Sequence, residues 1–373
     1  MHVFVVTNDF PPRIGGINYY VDQLMRRLPA GSATIFASRY RGWEEFDATY
    51  PHEVIRLDTE MMLPLPSVER RLHQELRSRQ PDLVMFGATW PLGHLGPALR
   101  RRLGMRYGGF THGLELTGAL VPGLLKPIGR YASLLTCASD WTRRTLEPKF
   151  GRPMPVLPSG IDAERFHPGV DDRTVRERHA LGSAPVICCV SRLVPRKGQD
   201  MLIRALPAVA REVQDVRLLI VGIGPYEQSL KALAQRTGVA DRVVFAGAVP
   251  YEELAAYFRA GDVFAMPCRA RWFGFDIEAL GAVFLQAAAV GRPVIAGDSG
   301  GAPETVRHGE TGLVVDPTRP EPLAQALISL LSDPARARAM GDAGARWMHT
   351  AWTWEHMAAR MTRLFEEALD GAG

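Results

Sequence analysis

The chain has 373 residues, of which 46% are hydrophobic and 23% charged, and its formal net charge at pH 7 is +4. This length and composition predict a soluble globular protein with two cores of ordinary domain size. They exclude a membrane-spanning helix, because no apolar run approaches ~18 residues. They also exclude a nucleic-acid binder with a dense basic stripe.

The first nine residues contain neither the basic region nor the small-residue cleavage site of a signal peptide, and they read as a first strand. A cytoplasmic location is therefore predicted. The four cysteines form no Cys-x-x-Cys pair, and we expect reduced thiols in the core and no metal site. Their positions are Cys137, Cys188, Cys189 and Cys268.

The first half of the chain alternates short apolar strands with amphipathic helices. A helix is predicted over residues 17–28, and strands over residues 3–6, 34–37, 54–57, 83–86, 107–110 and 134–137. Strands that alternate with helices favour right-handed β-α-β units around a parallel sheet.

The loop between the first strand and the first helix contains Gly15 and Gly16. Glycine lets the backbone approach a phosphate closely, and the amino end of the following helix favours an anion. A simple turn is an equally good interpretation of this pair alone. The loop is not Gly-x-Gly-x-x-Gly and lacks the acidic residue expected after it, which counts against a nicotinamide enzyme.

Residues 65–76 form a second predicted helix, with Leu65, Val68, Leu72 and Leu76 along one face and arginines on its flanks. One interpretation is an interfacial surface that docks a lipid-linked acceptor at a membrane. The alternative is an ordinary helix whose apolar face packs on the sheet. The sequence leaves both open.

A segment rich in Pro and Gly, residues 157–168, marks the predicted domain boundary, with a first domain over 1–168 and a second over 169–352. The second half repeats the β/α alternation, with strands predicted over residues 186–190, 216–221, 243–246, 263–265, 293–296 and 312–315. The sequence therefore predicts an α/β protein with two doubly wound, Rossmann-like lobes, and ligands at the carboxyl ends of the strands.

The loop after the first strand of the second half carries two cations, Arg192 and Lys197. An arginine fork and a lysine point charge at a strand's carboxyl end suit a diphosphate. A solvated basic turn is the alternative.

A single carboxylate, Glu278, precedes the apolar run 280–290, which is predicted to be helical. The unpaired N–H groups of a first helical turn suit a phosphate, and the carboxylate could accept hydrogen bonds from sugar hydroxyls. Gln286 lies eight residues later, about two helical turns, and so roughly on the same face.

The spacing of Glu278 and Gln286 resembles the signature of retaining glycosyltransferases of family 4, in which a Glu is followed, after seven residues, by a second acid. Here Gln286 replaces that acid. The order of the segments 191–198, 222–226, 262–269 and 299–305 resembles the same family. The resemblance implies the GT-B architecture, two lobes facing a cleft, with the C-terminal helix of residues 353–373 crossing back to the first domain.

The resemblance also implies roles for individual residues. His112, Glu278, Arg192 and Lys197 match catalytic positions, with His112 beside the donor sugar and Arg196 turned to solvent. The implied donor-binding residues are Gly15, Gly16, Arg192, Lys197, Gly224, Met266, Glu278, Ala279, Leu280, Gly281, Ala282, Val283 and Gln286. The acceptor is expected on the first lobe, at Asn8, Asp9, Arg13, Tyr19 and Glu115.

The implied activity is hexosyl transfer from a nucleoside-diphosphate sugar to an acceptor hydroxyl, with retention of configuration and without metal or other cofactor. The motifs look most similar to those of actinobacterial phosphatidylinositol mannoside mannosyltransferases, which favours GDP-mannose and a glycolipid or other glycoside acceptor. UDP-glucose or UDP-N-acetylglucosamine in a natural-product pathway is an alternative. A phosphorylase and a non-catalytic nucleotide-binding or membrane-docking protein are further alternatives. A monomer or homodimer, with peripheral contact to the inner membrane face, is compatible with these interpretations.

Overall fold

The computed structural model describes residues 1–274 and 276–371, except for the side chain of Phe273. The strands are β1 Val3–Thr7, β2 Ala33–Ser38, β3 Glu53–Leu57, β4 Leu83–Phe86, β5 Tyr107–Thr111, β6 Leu134–Cys137, β7 Val186–Val190, β8 Arg217–Val221, β9 Val243–Gly247, β10 Val263–Met266, β11 Val294–Gly297 and β12 Gly312–Val315. All of the predicted strands are present, and their ends differ from the predicted ones by at most one residue.

Helices follow most strands. They are α1 Gly16–Met25, α2 Trp43–Ala48, α3 Pro66–Arg79, α4 Gly96–Leu103, α5 Glu115–Gly118, α6 Lys126–Tyr131, α7 Asp140–Phe150, α8 Arg173–Arg178, α9 Gln199–Glu212, α10 Glu227–Arg236, α11 Leu254–Ala260, α12 Ala282–Ala289, α13 Pro320–Leu331, α14 Pro334–Ala351 and α15 Trp354–Asp370. Short 3₁₀ turns connect several of these elements.

Contacts along the backbone divide the chain into two compact units, Met1–Gly160 with Trp354–Gly373, and Ile161–Thr353. The division lies before residue 168, where the sequence analysis placed it. Phe166 explains the difference, because it is fully buried and packs edge-on against Phe258 of the second unit, with ring centroids 6.1 Å apart.

The first unit contains one six-stranded parallel sheet in the order β3-β2-β1-β4-β5-β6. Helix α15 completes its core: Trp354, Met361 and Phe365 are fully buried together with residues of β1 and α1. The expectation that the last helix returns to the first domain is therefore confirmed.

The second unit contains a second six-stranded parallel sheet, in the order β12-β11-β10-β7-β8-β9. In each sheet, the first strand in the sequence lies near the middle, and the later strands are added first on one side of it and then on the other. This is the doubly wound arrangement. The predicted α/β class is confirmed. All four cysteines are buried, and none of them forms a disulfide bond with another described residue.

On α3, the buried residues are Val68, Leu72, Glu75 and Leu76, whereas Leu65 is 51% exposed. Most of the apolar face therefore packs inward, as in an ordinary amphipathic helix. No helix among the described residues combines the length and hydropathy needed to cross a membrane.

Candidate active site

The carboxyl ends of three neighbouring strands meet at one edge of the second unit's sheet. Strand β7 leads into the segment 191–198, β10 into 267–274 and β11 into 298–301. Because β11, β10 and β7 are adjacent and parallel, segments far apart in the sequence converge at this edge.

Two glycines allow this convergence. Gly198 has φ +79°, and a Cβ atom there would lie 2.0 Å from the carbonyl oxygen of Pro267. Gly300 has φ +59°, and its Cβ would lie 2.1 Å from the carbonyl oxygen of Glu278. Both positions require glycine, because a side chain would clash with backbone that cannot move aside. The segments around Lys197 and Glu278 are thereby held together.

The ammonium group of Lys197 donates a hydrogen bond to Oε2 of Glu278 and forms an ion pair with it. Each side chain is only 11% exposed. Burial alone would raise the pKa of Glu278, but the charges of Lys197 and Arg196 and the bond from Lys197 together hold that pKa below its usual value. Glu278 is therefore a carboxylate at neutral pH.

The guanidinium of Arg192 is exposed, and no carboxylate among the described residues lies within 4.0 Å of it. Its backbone is fixed, because Gln199 donates through Nε2 to the carbonyl oxygen of Arg192 at 3.0 Å and to Ser191 Oγ at 2.8 Å. This arrangement leaves one cation available for an anion at the strand edge.

Arg196 is not turned to solvent, and that expectation is wrong. Its side chain is 19% exposed and pairs with Asp276 at 3.5 Å. The reason is that the 3₁₀ turn Pro195–Lys197 lies against the loop before α12, where Arg269 N–H donates to the carbonyl oxygen of Arg196.

Gly224 and Met266 both occupy packing positions. A Cβ at Gly224 would lie 2.3 Å from the carbonyl oxygen of Leu193, so the loop after β8 supports the loop of Arg192. Met266 ends β10 and is fully buried.

Helix α12 begins at Ala282 rather than at residue 280, because Gly281 adopts φ +89° and acts as the N-cap. Glu278, Ala279 and Leu280 therefore belong to the loop, and no side chain caps the first turn of Ala282 and Val283. Gln286 lies in the second turn and is 8% exposed. The helix thus directs its amino end toward the loop that holds Glu278.

Nothing in the sequence indicates that Asp200 and Arg269 form a pair. Arg269 donates to both carboxylate oxygens of Asp200, at 2.9 and 3.0 Å, and Asp200 is buried. This pair joins the start of α9 to the loop after β10. Only the three-dimensional approach of two segments 69 residues apart reveals it.

In the first unit, His112 follows β5, and its Nε2 lies 2.9 Å from the carbonyl oxygen of Gly87. A carbonyl only accepts, so Nε2 carries the hydrogen and Nδ1 is the free acceptor. The ring packs edge-on against Tyr20 at 4.8 Å. Burial lowers the pKa of His112 to about 4. His112 is therefore a neutral group that cannot supply a proton at neutral pH.

Glu115 supports the loop that carries His112. Its Oε2 accepts from the backbone N–H groups of His112 and Gly113, at 2.9 and 3.1 Å, and the residue is fully buried. Burial raises the pKa of this carboxyl group, and the backbone bonds oppose the rise. In this conformation the carboxylate is not open to an acceptor.

Gly15 is the N-cap of α1, with extended backbone. A Cβ there would lie 2.5 Å from Oδ1 of Asn18, whereas a Cβ at Gly16 would meet nothing within 4 Å. Nδ2 of Asn18 is buried and has no partner. The amino end of α1 therefore presents unpaired donors beside Gly16.

A cavity of about 150 Å³ lies at the ends of β1 and β4, and it is lined by Asn8, Asp9, Arg13, Met61, Ala88, Trp90, Pro91, Leu92 and Leu114. Burial raises the pKa of Asp9, and Arg13 opposes the rise. Asn8 exchanges two hydrogen bonds with the backbone of Met62, at 2.9 and 2.6 Å, and so fixes one wall.

Three of the residues expected to bind the acceptor thus share this cavity, and Trp90, which the sequence analysis missed, lies beside them. Tyr19 does not line the cavity. It packs against Trp354, with ring centroids 5.8 Å apart. Among the described residues, no group of three His, Cys, Asp or Glu side chains is placed to hold a metal ion.

Residues 171–347 match the family model of glycosyl transferases group 1, and residues 14–165 match that of Glycosyltransferase Family 4. The chain is 45% identical over 372 residues to a GDP-mannose-dependent alpha-(1-6)-phosphatidylinositol monomannoside mannosyltransferase of Mycolicibacterium smegmatis, and the match covers 97% of each chain. It is 42% identical over 372 residues to a GDP-mannose-dependent monoacylated alpha-(1-6)-phosphatidylinositol monomannoside mannosyltransferase of Corynebacterium glutamicum, again covering 97% of each.

Solved structures show the same fold at lower identity. Sucrose-phosphate synthase from Thermosynechococcus elongatus has a TM-score of 0.84 and 24% identity, and the match covers 100% of both chains. Anabaena HepE in complex with UDP and glucose has a TM-score of 0.82 and 19% identity, covering 98% of this chain and 100% of that one. At these identities, the matches show only that the fold is shared.

Proposed function

The chain belongs to glycosyltransferase family 4 and is a glycosyltransferase of the GT-B fold, and from this premise we propose that it transfers mannose from GDP-mannose to a phosphatidylinositol mannoside. The donor and acceptor follow the relatives that are 45% and 42% identical over nearly the whole chain. The observation that carries the catalytic assignment is the buried pair of Lys197 and Glu278 beside the exposed Arg192.

In the proposed reaction, the diphosphate of the donor binds Arg192 and Lys197, and the amino end of α12 adds unpaired N–H groups. These donors stabilise the negative charge that develops as the bond between the sugar and the phosphate breaks. Glu278 accepts hydrogen bonds from the sugar hydroxyls. Gln286 takes the place of the family acid that holds the ribose, as an amide that both accepts and donates.

The departing phosphate takes the proton of the acceptor hydroxyl, so the reaction needs no separate base and proceeds with retention. The neutral state of His112 fits this scheme, because the residue contributes a lone pair and not a proton. We also propose turnover without a metal ion, since cationic side chains replace it at the diphosphate.

For the acceptor, we propose the cavity of Asp9, Arg13 and Trp90 in the first unit. A carboxylate and a guanidinium suit hydroxyl and phosphate groups, and an indole ring suits the face of a sugar or cyclitol. The apolar wall of Met61 and Leu114, which are 58% and 43% exposed, suits the start of a lipid chain.

The test is transfer of radiolabelled mannose from GDP-mannose to phosphatidylinositol monomannoside, with and without EDTA. We expect a lipid product in both conditions, and none with Lys197→Ala or Glu278→Ala. Lys231→Ala is the matched control, because Lys231 forms an exposed ion pair with Glu227 on α10, outside the proposed site.

Binding of GDP, UDP and ADP, measured by calorimetry, separates the proposed donor from its alternatives. Preference for GDP supports mannosyl transfer. Preference for UDP would contradict the donor assignment and redirect the acceptor search toward small-molecule glycosides. Binding without transfer to any acceptor would favour the non-catalytic alternative.

We further propose peripheral contact of the first unit with an anionic membrane. Met61, Leu63 and Leu65 are 58%, 43% and 51% exposed immediately before α3. Arg70 and Arg77 are exposed on α3, and neither has a carboxylate within 4.0 Å among the described residues. Apolar residues next to free cations suit the interface of an anionic bilayer.

Co-sedimentation with vesicles checks this contact. Binding to vesicles that contain phosphatidylinositol should exceed binding to neutral phosphatidylcholine vesicles, and Leu63→Asp should reduce it. Val121→Asp, a substitution at an exposed apolar residue of another loop, is the matched control. Equal binding of wild type and Leu63→Asp would contradict the proposal.

A further inference from the structure

A second cavity lies at the opposite edge of the second unit's sheet, where strands β7, β10 and β11 begin. Its volume is about 290 Å³. Pro185, Asp262 and Pro293, each the residue before one of these strands, line one side. The end of α13 and the first turns of α14 line the other. The loops proposed to bind the donor follow the carboxyl ends of the same strands, so this cavity is separate from the donor site.

The wall of this cavity is basic. Arg292 and Arg338 line it directly, on opposite sides, and Asp262 is its one acidic lining residue. Arg259 and Arg176 lie close enough to Arg292 for their charges to oppose the charge of its guanidinium, whereas the carboxylates of Asp262 and Asp172 favour it. Positive charge therefore exceeds negative charge around the cavity.

These arginines are not neutralised by ion pairs. Within the described ranges, no carboxylate lies within 4.0 Å of any of the four guanidinium groups. Three of them donate to backbone carbonyl oxygens instead: Arg176 to those of Gly182, Ala184 and Ala260, Arg259 to that of Val290, and Arg292 to that of Arg259. Carbonyl groups orient a guanidinium but do not cancel its charge.

Among these arginines, Arg292 is the one whose charge a bound anion would stabilise most. It is partly buried, and two of its nitrogens, Nε and Nη2, bond to the carbonyl oxygen of Arg259, so that Nη1 is left for another partner. Burial, followed by the nearby charge of Arg259, lowers its pKa to about 10. Asp262 and Asp172 offset part of this unfavourable charge, but one oxygen of Asp262 already accepts from the N–H of Val186 at 2.8 Å.

A purely structural interpretation explains Arg292 as a cap for the end of α11, where Arg259 is the penultimate residue. It does not explain Arg338, which is exposed on α14 and faces the same cavity without a carboxylate partner. Two cations on opposite walls of an open cavity are the arrangement expected for an anion that bridges them.

We propose that the cavity between Arg292 and Arg338 binds a small phosphate ester, separately from the donor site. A phosphate group accepts from both guanidinium groups, and arginine is well suited to bidentate contact with phosphate. The apolar lining, Leu330, Leu331 and Pro334, suits a short carbon body attached to the phosphate. Because Arg338 is far along the chain from every proposed catalytic residue and lies at the opposite edge of the sheet, its removal should leave basal transfer unchanged.

The test is calorimetric titration of glycerol 3-phosphate into the full chain at constant ionic strength. Saturating GDP occupies Arg192 and Lys197, so the donor site cannot account for the heat. We expect saturable binding by wild type, and at least a tenfold weaker Kd for Arg338→Ala. Inorganic phosphate should compete with glycerol 3-phosphate, whereas glycerol should not.

Arg346→Ala is the matched control, because Arg346 is an exposed arginine of the same helix that does not line the cavity. Its Kd should equal that of wild type. Arg292→Lys, checked for folding by its Tm, should also weaken binding, since lysine keeps the charge but loses the planar fork. Absence of binding by wild type, or equal Kd values for wild type and Arg338→Ala, would overturn the proposal.

Discussion

Glu278→Gln removes the charge of the carboxylate and keeps the shape of the side chain, so it tests what the charge alone contributes. The substitution leaves the ammonium of Lys197 with only 9% of its residue surface exposed and without its ion-pair partner. Breaking a buried pair from one side costs about 3–5 kcal/mol. We expect the lower end, about 3 kcal/mol, because water still reaches both side chains. For a unit of this size, that lowers Tm by about 6–12 °C.

The same substitution should separate binding from chemistry. Lys197 becomes fully available to the diphosphate, so the Kd for GDP should not rise. Transfer should fall, because the sugar hydroxyls lose charge-assisted hydrogen bonds worth about 1.5–3 kcal/mol, which is a factor of about 13–160 in kcat/KM. Calorimetry with GDP and the radiolabel assay measure the two effects.

A double-mutant cycle tests the physical reason. Lys197→Met combined with Glu278→Gln should cost less stability than the sum of the two single variants, because neither charge is left alone. Glu227→Gln, in the exposed pair with Lys231, should cost less than about 1 kcal/mol. Additive losses at the buried pair, or transfer by Glu278→Gln within twofold of wild type, would refute the reasoning.

Three further substitutions test other parts of the structure. Gln286→Glu should lower the Kd for GDP severalfold in calorimetry, because a carboxylate forms stronger bonds to ribose hydroxyls than an amide; weaker binding would contradict the ribose contact. Gly198→Ala should lower the free energy of unfolding by about 1–3 kcal/mol in denaturant titrations, because φ is +79° and the added Cβ meets the carbonyl oxygen of Pro267; unchanged stability would contradict the close approach. Stability should fall as the pH falls from about 6.5 toward 4, since unfolded His112 binds a proton below about 6.5 and the folded residue only below about 4. His112→Asn should remove that component of the pH profile, and an unchanged profile would assign it to other groups.

The fold was predictable from the sequence because the central strands are short runs of apolar residues that helices bury on both faces. Such runs leave a clear pattern, and all of their ends were located to within one residue. The ends of helices were harder. The apolar run from residue 280 looks helical, but the positive φ of Gly281 delays α12 to Ala282.

The site was predictable only as a set of segments. Lys197 and Glu278 were each assigned to the donor, but nothing in the spacing shows that residues 81 positions apart form an ion pair. Arg196 was misplaced for the same reason, since its partner Asp276 belongs to a distant loop. Trp90 carries no motif, and only the cavity beside Asp9 draws attention to it.

The position of α15 has a consequence for biosynthesis. The second unit is one continuous stretch, Ile161–Thr353, whereas the first lacks part of its core until Trp354, Met361 and Phe365 have been added. During translation, the first unit is synthesised first but cannot complete its core, and it keeps an apolar surface exposed until α15 has been made. The second unit can fold before that point, because all of its residues precede α15. The nascent amino-terminal segment is thus the part of the chain with the greatest need of chaperone protection.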